Sequence, residues 1–159
     1  MVDPKKPTLG KMKWLMFLLS HFKIPMIGFV RPKILFIDDD QVKVRIKLRR
    51  RTKNHLNSMY FGSLAVGADI AGGIHTFYHA GTIPDKKLSF AFKSMNAEFL
   101  KRAETDIIFE CKEGGKIKQA IIESSHSAER KNIQVIVTAS DLNGEIVATF
   151  DMGVSVKMI

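Results

Sequence analysis

The sequence predicts an α+β domain, a largely antiparallel sheet of about six strands around one long apolar helix. Three observations carry this expectation. Residues 59–79 are apolar at nearly every position, with Ser63, Asp69, His75, Thr76 and His79 the exceptions, and a helix that is apolar all round is a buried one. Several stretches alternate apolar and polar residues with a period of two, most clearly QVKVRIKLRR (41–50) and EIVATFDMGVSVKM (145–158), the pattern of a half-buried strand. Asp141-Leu142-Asn143-Gly144 separates the last two alternating runs, and Asn-Gly is a strong hairpin signal.

The chain of 159 residues is 45% apolar, with a formal charge of +9. That length and composition suit one globular domain with a sizeable core. The one cysteine, Cys111, excludes an intramolecular disulfide and reads as a packing residue within the alternating run IIFEC. The basic balance favours polyanionic partners: nucleic acid, anionic headgroups or phosphorylated small molecules.

Near the N-terminus, residues 1–32 form a segment apart from the domain proper, 33–159. The apolar run Trp14 to Leu19 is six residues long, far short of the roughly 20 that span a bilayer. Lysines precede it, yet His21, Phe22 and Lys23 stand where a small-x-small cleavage site would follow, which points to a cytoplasmic protein. An amphipathic helix over Leu9 to Phe22 is expected. It either packs on the domain or touches a membrane surface, and packing is favoured.

Pro25 and Pro32 bracket a loop. KILFI (33–37) is a strand, Asp38-Asp39-Asp40 a turn, and 41–50 a strand with one basic face, expected to be solvated. Ser58 is a candidate N-cap for the buried helix. Gly72-Gly73 would weaken or bend it, and Gly81 and Pro84 end it. Strands are expected over 87–101, 105–112, 132–140 and 145–158. Glu113-Gly114-Gly115 is a turn, and 116–131 is either a short helix or a strand extension. On the last strand Ile146, Ala148, Phe150, Met152, Val154, Val156 and Met158 share one face. One helix cannot cover both faces of such a sheet, so solvent, loops or a second subunit must cover the other.

From Asn54 to Pro84 the only formal charge is Asp69. A lone carboxylate on an apolar helix needs a partner or a use. His75 and His79 stand at i, i+4 with no third ligand evident, so they read as surface or interface histidines rather than a metal site. His55 reads as an exposed loop residue.

The order of elements, with Asn54, then Tyr60-Phe61-Gly62 six residues on, then Ala68-Asp69, resembles the hotdog-fold acyl-CoA thioesterase superfamily. The likeness is greatest to its phenylacetyl-CoA-thioesterase-like branch or an uncharacterised relative. That branch carries an Asn, a His-Gly-Gly opening the central helix, and an Asp nine residues after the His. Here Tyr60 replaces the His and Phe61 the first Gly. SMNAEFLKRAETDIIFECK also resembles its third and fourth strands. The resemblance implies hydrolysis of acyl-CoA or acyl-carrier-protein thioesters. Asp69 would be base or nucleophile, the amides of Phe61 and Gly62 would hold the oxyanion, and Asn54 would position water or Asp69. Tyr60 and Ser63 would line the substrate. Lys101 and Arg102 are first choice for the phosphates of coenzyme A, with Arg130 and Lys131 second. No cofactor or metal is implied. A homodimer or homotetramer is, with Asn54 of one subunit facing Asp69 of its partner. The alternative is a non-catalytic hotdog module that binds thioesters or lipids. Nucleic-acid binding through 43–51 is disfavoured, because aromatic residues do not interleave with its basic ones.

Overall fold

The computed structural model describes residues 6–159. Period-2 segments become strands: β1 (Lys33–Ile37), β2 (Val42–Ile46), β3 (Leu88–Phe99), β4 (Ile107–Cys111), β5 (Lys131–Ser140) and β6 (Ile146–Met158). They form one sheet in the order β1-β2-β4-β5-β6-β3, and every pair is antiparallel. Alternation does the expected work in β2, where Val42, Val44 and Ile46 are buried and Lys43 and Arg45 half-buried. At the β5–β6 hairpin, Asp141 Oδ1 accepts hydrogen bonds from the amides of Asn143 (2.9 Å) and Glu145 (3.0 Å). On β6 the buried face holds from Ala148 to Met158, but Ile146 is exposed and Val147 buried, because the ladder to β5 shifts register at this end.

Helix α3 (Phe61–Ala80) runs unbroken through Gly72-Gly73 and packs against β2, β3, β4, β5 and β6. Its glycines admit neighbours instead of bending it. A Cβ at Gly67 would fall 2.3 Å from the ring of buried Phe109 on β4. Gly67→Ala should therefore destabilise the fold by about 1–3 kcal/mol, against the roughly 1 kcal/mol of helix propensity that alanine brings. Urea unfolding of the two proteins measures the difference.

The ambiguous segment 116–131 is mostly helix. α4 (Gly114–Ser127) buries Ile117, Ala120, Ile121 and Ser124, the i, i+3, i+4, i+7 stripe of an amphipathic helix. It packs on α3, β5 and β6, so two helices cover that side of the sheet. Glu113-Gly114-Gly115, expected as a turn, instead opens this helix. Gly114 N donates to Asp40 O at 3.0 Å.

That contact ties the Asp38–Asp40 turn to α4, and two histidines of α3 bond to it as well. His75 Nε2 donates to Asp38 O (3.0 Å) and His79 Nε2 to Asp39 O (3.2 Å). The two rings stack at 5.6 Å. Both histidines are buried, contrary to the expectation of surface or interface positions. The turn supplies acceptors that the local sequence around them does not contain. Asp39 binds Lys6 (2.7 Å) and Lys118 (3.3 Å), chiefly through the Lys6 bond, which holds its carboxyl down at about 2.

Before β1 lie α1 (Leu9–Leu18), a π-helical turn (Leu19–Lys23) and α2 (Pro25–Val30). Thr8 Oγ1 accepts from Lys11 N at 3.3 Å and caps α1. Met12, Met16, Ile27 and Val30 are buried; α1 packs on β1 and α2 touches α3. Among the described residues no helix is long and apolar enough to cross a membrane. Cys111 is fully buried, which pushes its thiol up to about 11.

Candidate active site

The loop that leads into α3 is built by one side chain. Asn54 Oδ1 accepts from Leu56 N (2.9 Å), Ser58 N (3.2 Å) and Ser58 Oγ (3.2 Å). Ser58 thus serves the loop and does not cap the helix. Tyr60 stands at the N-cap in extended conformation without a side-chain cap bond. The chain is pinned on both sides, Met59 N donating to Ala103 O (2.7 Å) and Tyr60 N to Thr52 O (2.8 Å). Ser63 N and Leu64 N both donate to Tyr60 O. The amides of Phe61 and Gly62 have no partner among the described residues, and the positive end of the helix dipole lies there.

This loop and the end of β3 enclose a cleft of about 610 Å³. It brings together Asn54, Tyr60, Phe61, Lys101 and Arg102. Sequence reasoning did not assign Leu56, Met59, Leu64, Phe99 and Leu100 to it, yet they make its wall apolar. The Phe99-Leu100 pair just before Lys101 was the signal available. Phe61 meets Tyr60 at 4.7 Å and Phe99 at 6.3 Å between ring centroids. A Cβ at Gly62 would sit 2.6 Å from Tyr60 Cε1, so the missing side chain lets the Tyr60 ring lie over the first turn. His55 lines the cleft as well and is exposed.

Ser63, Arg130 and Lys131 stand apart from this cleft in the single chain. Ser63 is buried. Lys101 lines the cleft but is ion-paired to Glu145, with Asp141 at 3.8 Å. Arg130 donates to Ser89 Oγ (2.9 Å) and Ser155 Oγ (3.2 Å), and Lys131 pairs with Glu129 at 3.4 Å. Among the described residues, no three His, Cys, Asp or Glu side chains converge as a metal site.

Asp69 lies two turns into α3, half-buried, with no hydrogen-bond or ion-pair partner among the described residues. Burial alone pushes its carboxyl up to about 6. Seven residues of helix separate it from Gly62, roughly 10 Å along the axis. Within one chain, then, the carboxylate and the free amides cannot meet on one carbonyl. The outer edge of β3 is unpaired among the described residues, since β3 bonds only to β6.

The family model for the domain of unknown function DUF4442 matches residues 12–156. No curated protein matches the sequence. Among solved structures, the chain is similar to a Pseudomonas aeruginosa protein of unknown function named as a probable thioesterase. The two share 20% identity and a TM-score of 0.75, over 92% of this chain and 95% of that one. A thioesterase of Haemophilus influenzae aligns at 13% identity and TM-score 0.67, over 98% and 94% of the two chains. Zebrafish thioesterase superfamily member 2 aligns at 15% and 0.68, over 92% and 96%. At these identities the likeness establishes the fold, which is the hotdog fold of thioesterase-superfamily proteins.

Proposed function

This chain belongs to the DUF4442 family, and we propose that it hydrolyses acyl thioesters, with acyl-CoA or acyl-carrier-protein as the carrier. The observation that carries the reading is the pairing of an unpartnered half-buried carboxylate with an unsatisfied helix N-terminus beside an apolar cleft. Thioester hydrolysis needs those three things: a base or nucleophile, donors for an oxyanion and a slot for the acyl chain. Asp69 takes a proton from water as the water oxygen bonds to the carbonyl carbon. Charge develops on the carbonyl oxygen against the amides of Phe61 and Gly62. The C–S bond then breaks, and the thiolate leaves with the proton. If the Asp69 carboxylate attacks that carbon instead, the C–S bond breaks to leave an Asp69–acyl anhydride. Water then cleaves the anhydride, releasing the acid and supplying the thiolate's proton. Arg102 is the cleft cation with no acidic partner among the described residues, and it is assigned to phosphate on the carrier.

The separation of Asp69 from the amides makes the site composite. The open edge of β3 is the surface through which a second subunit would bring its own α3 alongside, with Asn54 of one subunit facing Asp69 of its partner. The expected assembly is at least a dimer. Sedimentation that shows a stable monomer at micromolar concentration overturns the composite site.

One observation favours a second reading, a module that binds thioesters without cleaving them: the Tyr60 ring lies over the turn whose amides the reaction needs. A panel of acyl-CoAs with a thiol-detecting dye separates the two. Thiol release that is lost in Asp69→Asn supports hydrolysis. Binding with no thiol release by the parent protein supports the module.

A further inference from the structure

The N-terminal helices bury one face and leave the other apolar face in water. Met12, Met16, Ile27 and Val30 pack inward, while Trp14, Phe22, Met26 and Phe29 are 61%, 72%, 62% and 56% exposed. Apolar patches of this kind mark docking surfaces. Between Pro4 and Ile37 the chain has no acidic residue, and Lys11, Lys13, Lys23, Arg31 and Lys33 are all exposed.

Beside this patch is a cleft of about 140 Å³ lined by six cations, Arg31, Lys33, Arg45, Lys47, Arg49 and Arg51, with Val30 and Thr52. None of the six forms an ion pair among the described residues. Lys33 stands directly opposite Arg45 in the β1–β2 ladder, and like charges so placed repel. Arg45 Nε is buried with no hydrogen-bond partner. The cationic and apolar surfaces are continuous. Arg51 lies 5.7 Å from the Phe29 ring centroid and donates to Phe29 O at 3.3 Å. Arg31 and Lys33 also line an adjoining apolar hollow of about 810 Å³ with Met16, Phe17 and Leu35.

We propose that this face docks on a bilayer surface bearing anionic phospholipids. The aromatic side chains enter the headgroup–acyl boundary, and the six-cation cleft takes a lipid phosphate. Interfacial helices bind in this way, through apolar area plus attraction to anionic lipid. Charge complementarity selects this occupant. A second copy of the chain would set the same cations against each other, and a nucleic acid would leave the apolar face wet.

Trp14 is the only tryptophan, so its emission reports insertion directly. The full chain is titrated with vesicles of phosphatidylcholine alone and of equimolar phosphatidylcholine and phosphatidylserine. The expected result is a blue shift and co-sedimentation with the mixed vesicles, both weak with phosphatidylcholine and both reduced by added salt. Each basic residue near an anionic surface is worth roughly a 5-fold change in partitioning. Arg49→Glu with Arg51→Glu should therefore weaken binding by at least about 20-fold. Phe22→Ser with Met26→Ser should reduce both the blue shift and the binding. Melting temperatures check that the variants fold, and the parent protein alone decides the main question. Three outcomes overturn the proposal: unchanged Trp14 emission with the protein left in the supernatant, binding of single- or double-stranded nucleic acid but not of vesicles, or an oligomer that Phe22→Ser dissociates with no vesicle binding by either form.

Discussion

Asp69→Asn should lower acyl-thioester hydrolysis by about 10²–10⁴-fold, the range that general-base catalysis supplies, and raise the melting temperature at the same time. Asparagine keeps the size and hydrogen-bonding shape of the side chain but neither takes a proton from water nor attacks a carbonyl effectively. No cavity is created, so the fold persists. The stability gain follows from the carboxyl standing at about 6 in the folded chain against 3.8 for the free group. Below 3.8 both states hold the proton and the residue is neutral in the balance. Between 3.8 and 6 the folded state keeps a proton that the unfolded state releases, so stability falls as pH rises. Above 6 the full cost of the half-buried charge applies, about 2 kcal/mol after screening by water, or about 4–8 °C in a chain of this size. The parent should also lose kcat/KM as pH falls through about 6, where its base becomes protonated. Acyl-CoA turnover against pH, with thermal melts of both proteins, measures all three effects. Parental turnover in the Asn variant makes Asp69 structural.

Acidification weakens the fold through the buried histidine pair. Burial, with the neighbouring His75 second, lowers His79 from 6.5 to about 4, and burial lowers His75 in the same direction. Both rings are neutral donors to the Asp38–Asp40 turn. Lys118 also faces His79 and opposes its protonation, while Asp39 favours it; Lys6 is bonded to Asp39. A depressed histidine pKa means that the unfolded chain binds more protons between 4 and 6.5. The stabilisation is complete above 6.5 and is lost as pH falls to 4, about 3 kcal/mol from His79 alone. Asp69 works in the opposite sense over part of this window, so the double background of Asp69→Asn isolates the histidines. His79→Gln keeps a donor for Asp39 O and does not titrate. Urea unfolding from pH 7 to pH 4 should show a smaller stability loss in His79→Gln than in the protein with His79. Equal losses would place the acid sensitivity elsewhere.

Periodicity made most of the scaffold legible. β1 follows KILFI residue for residue, and β5 and β6 fall within a residue of their expected limits. The same signal left 116–131 open between a short helix and a strand extension, and the structure makes most of it helix. Gly114-Gly115 reads as a turn in isolation, and the stripe Ile117, Ala120, Ile121, Ser124 includes an alanine and a serine that carry little apolar signal. β2 is shorter than its alternation, because the ladder with β4 ends at Ile46.

For the site, the chain itself determined the chemistry on offer: one carboxylate in an uncharged stretch, an asparagine six residues before a helix N-cap, an aromatic-basic run at the end of β3. Those are properties of residue type and spacing, and they survive any fold. The tertiary structure decided who meets whom. It brought Phe99, Leu100 and Arg102 against the loop of Asn54, and set Asp69 apart from the amides by a helical distance that one chain cannot close. It also buried His75 and His79 under a turn more than thirty residues away, and left Trp14 and Phe22 outside. Burial depends on what packs against a side chain. For the histidines the partner is distant in sequence, so local pattern carries no trace of it.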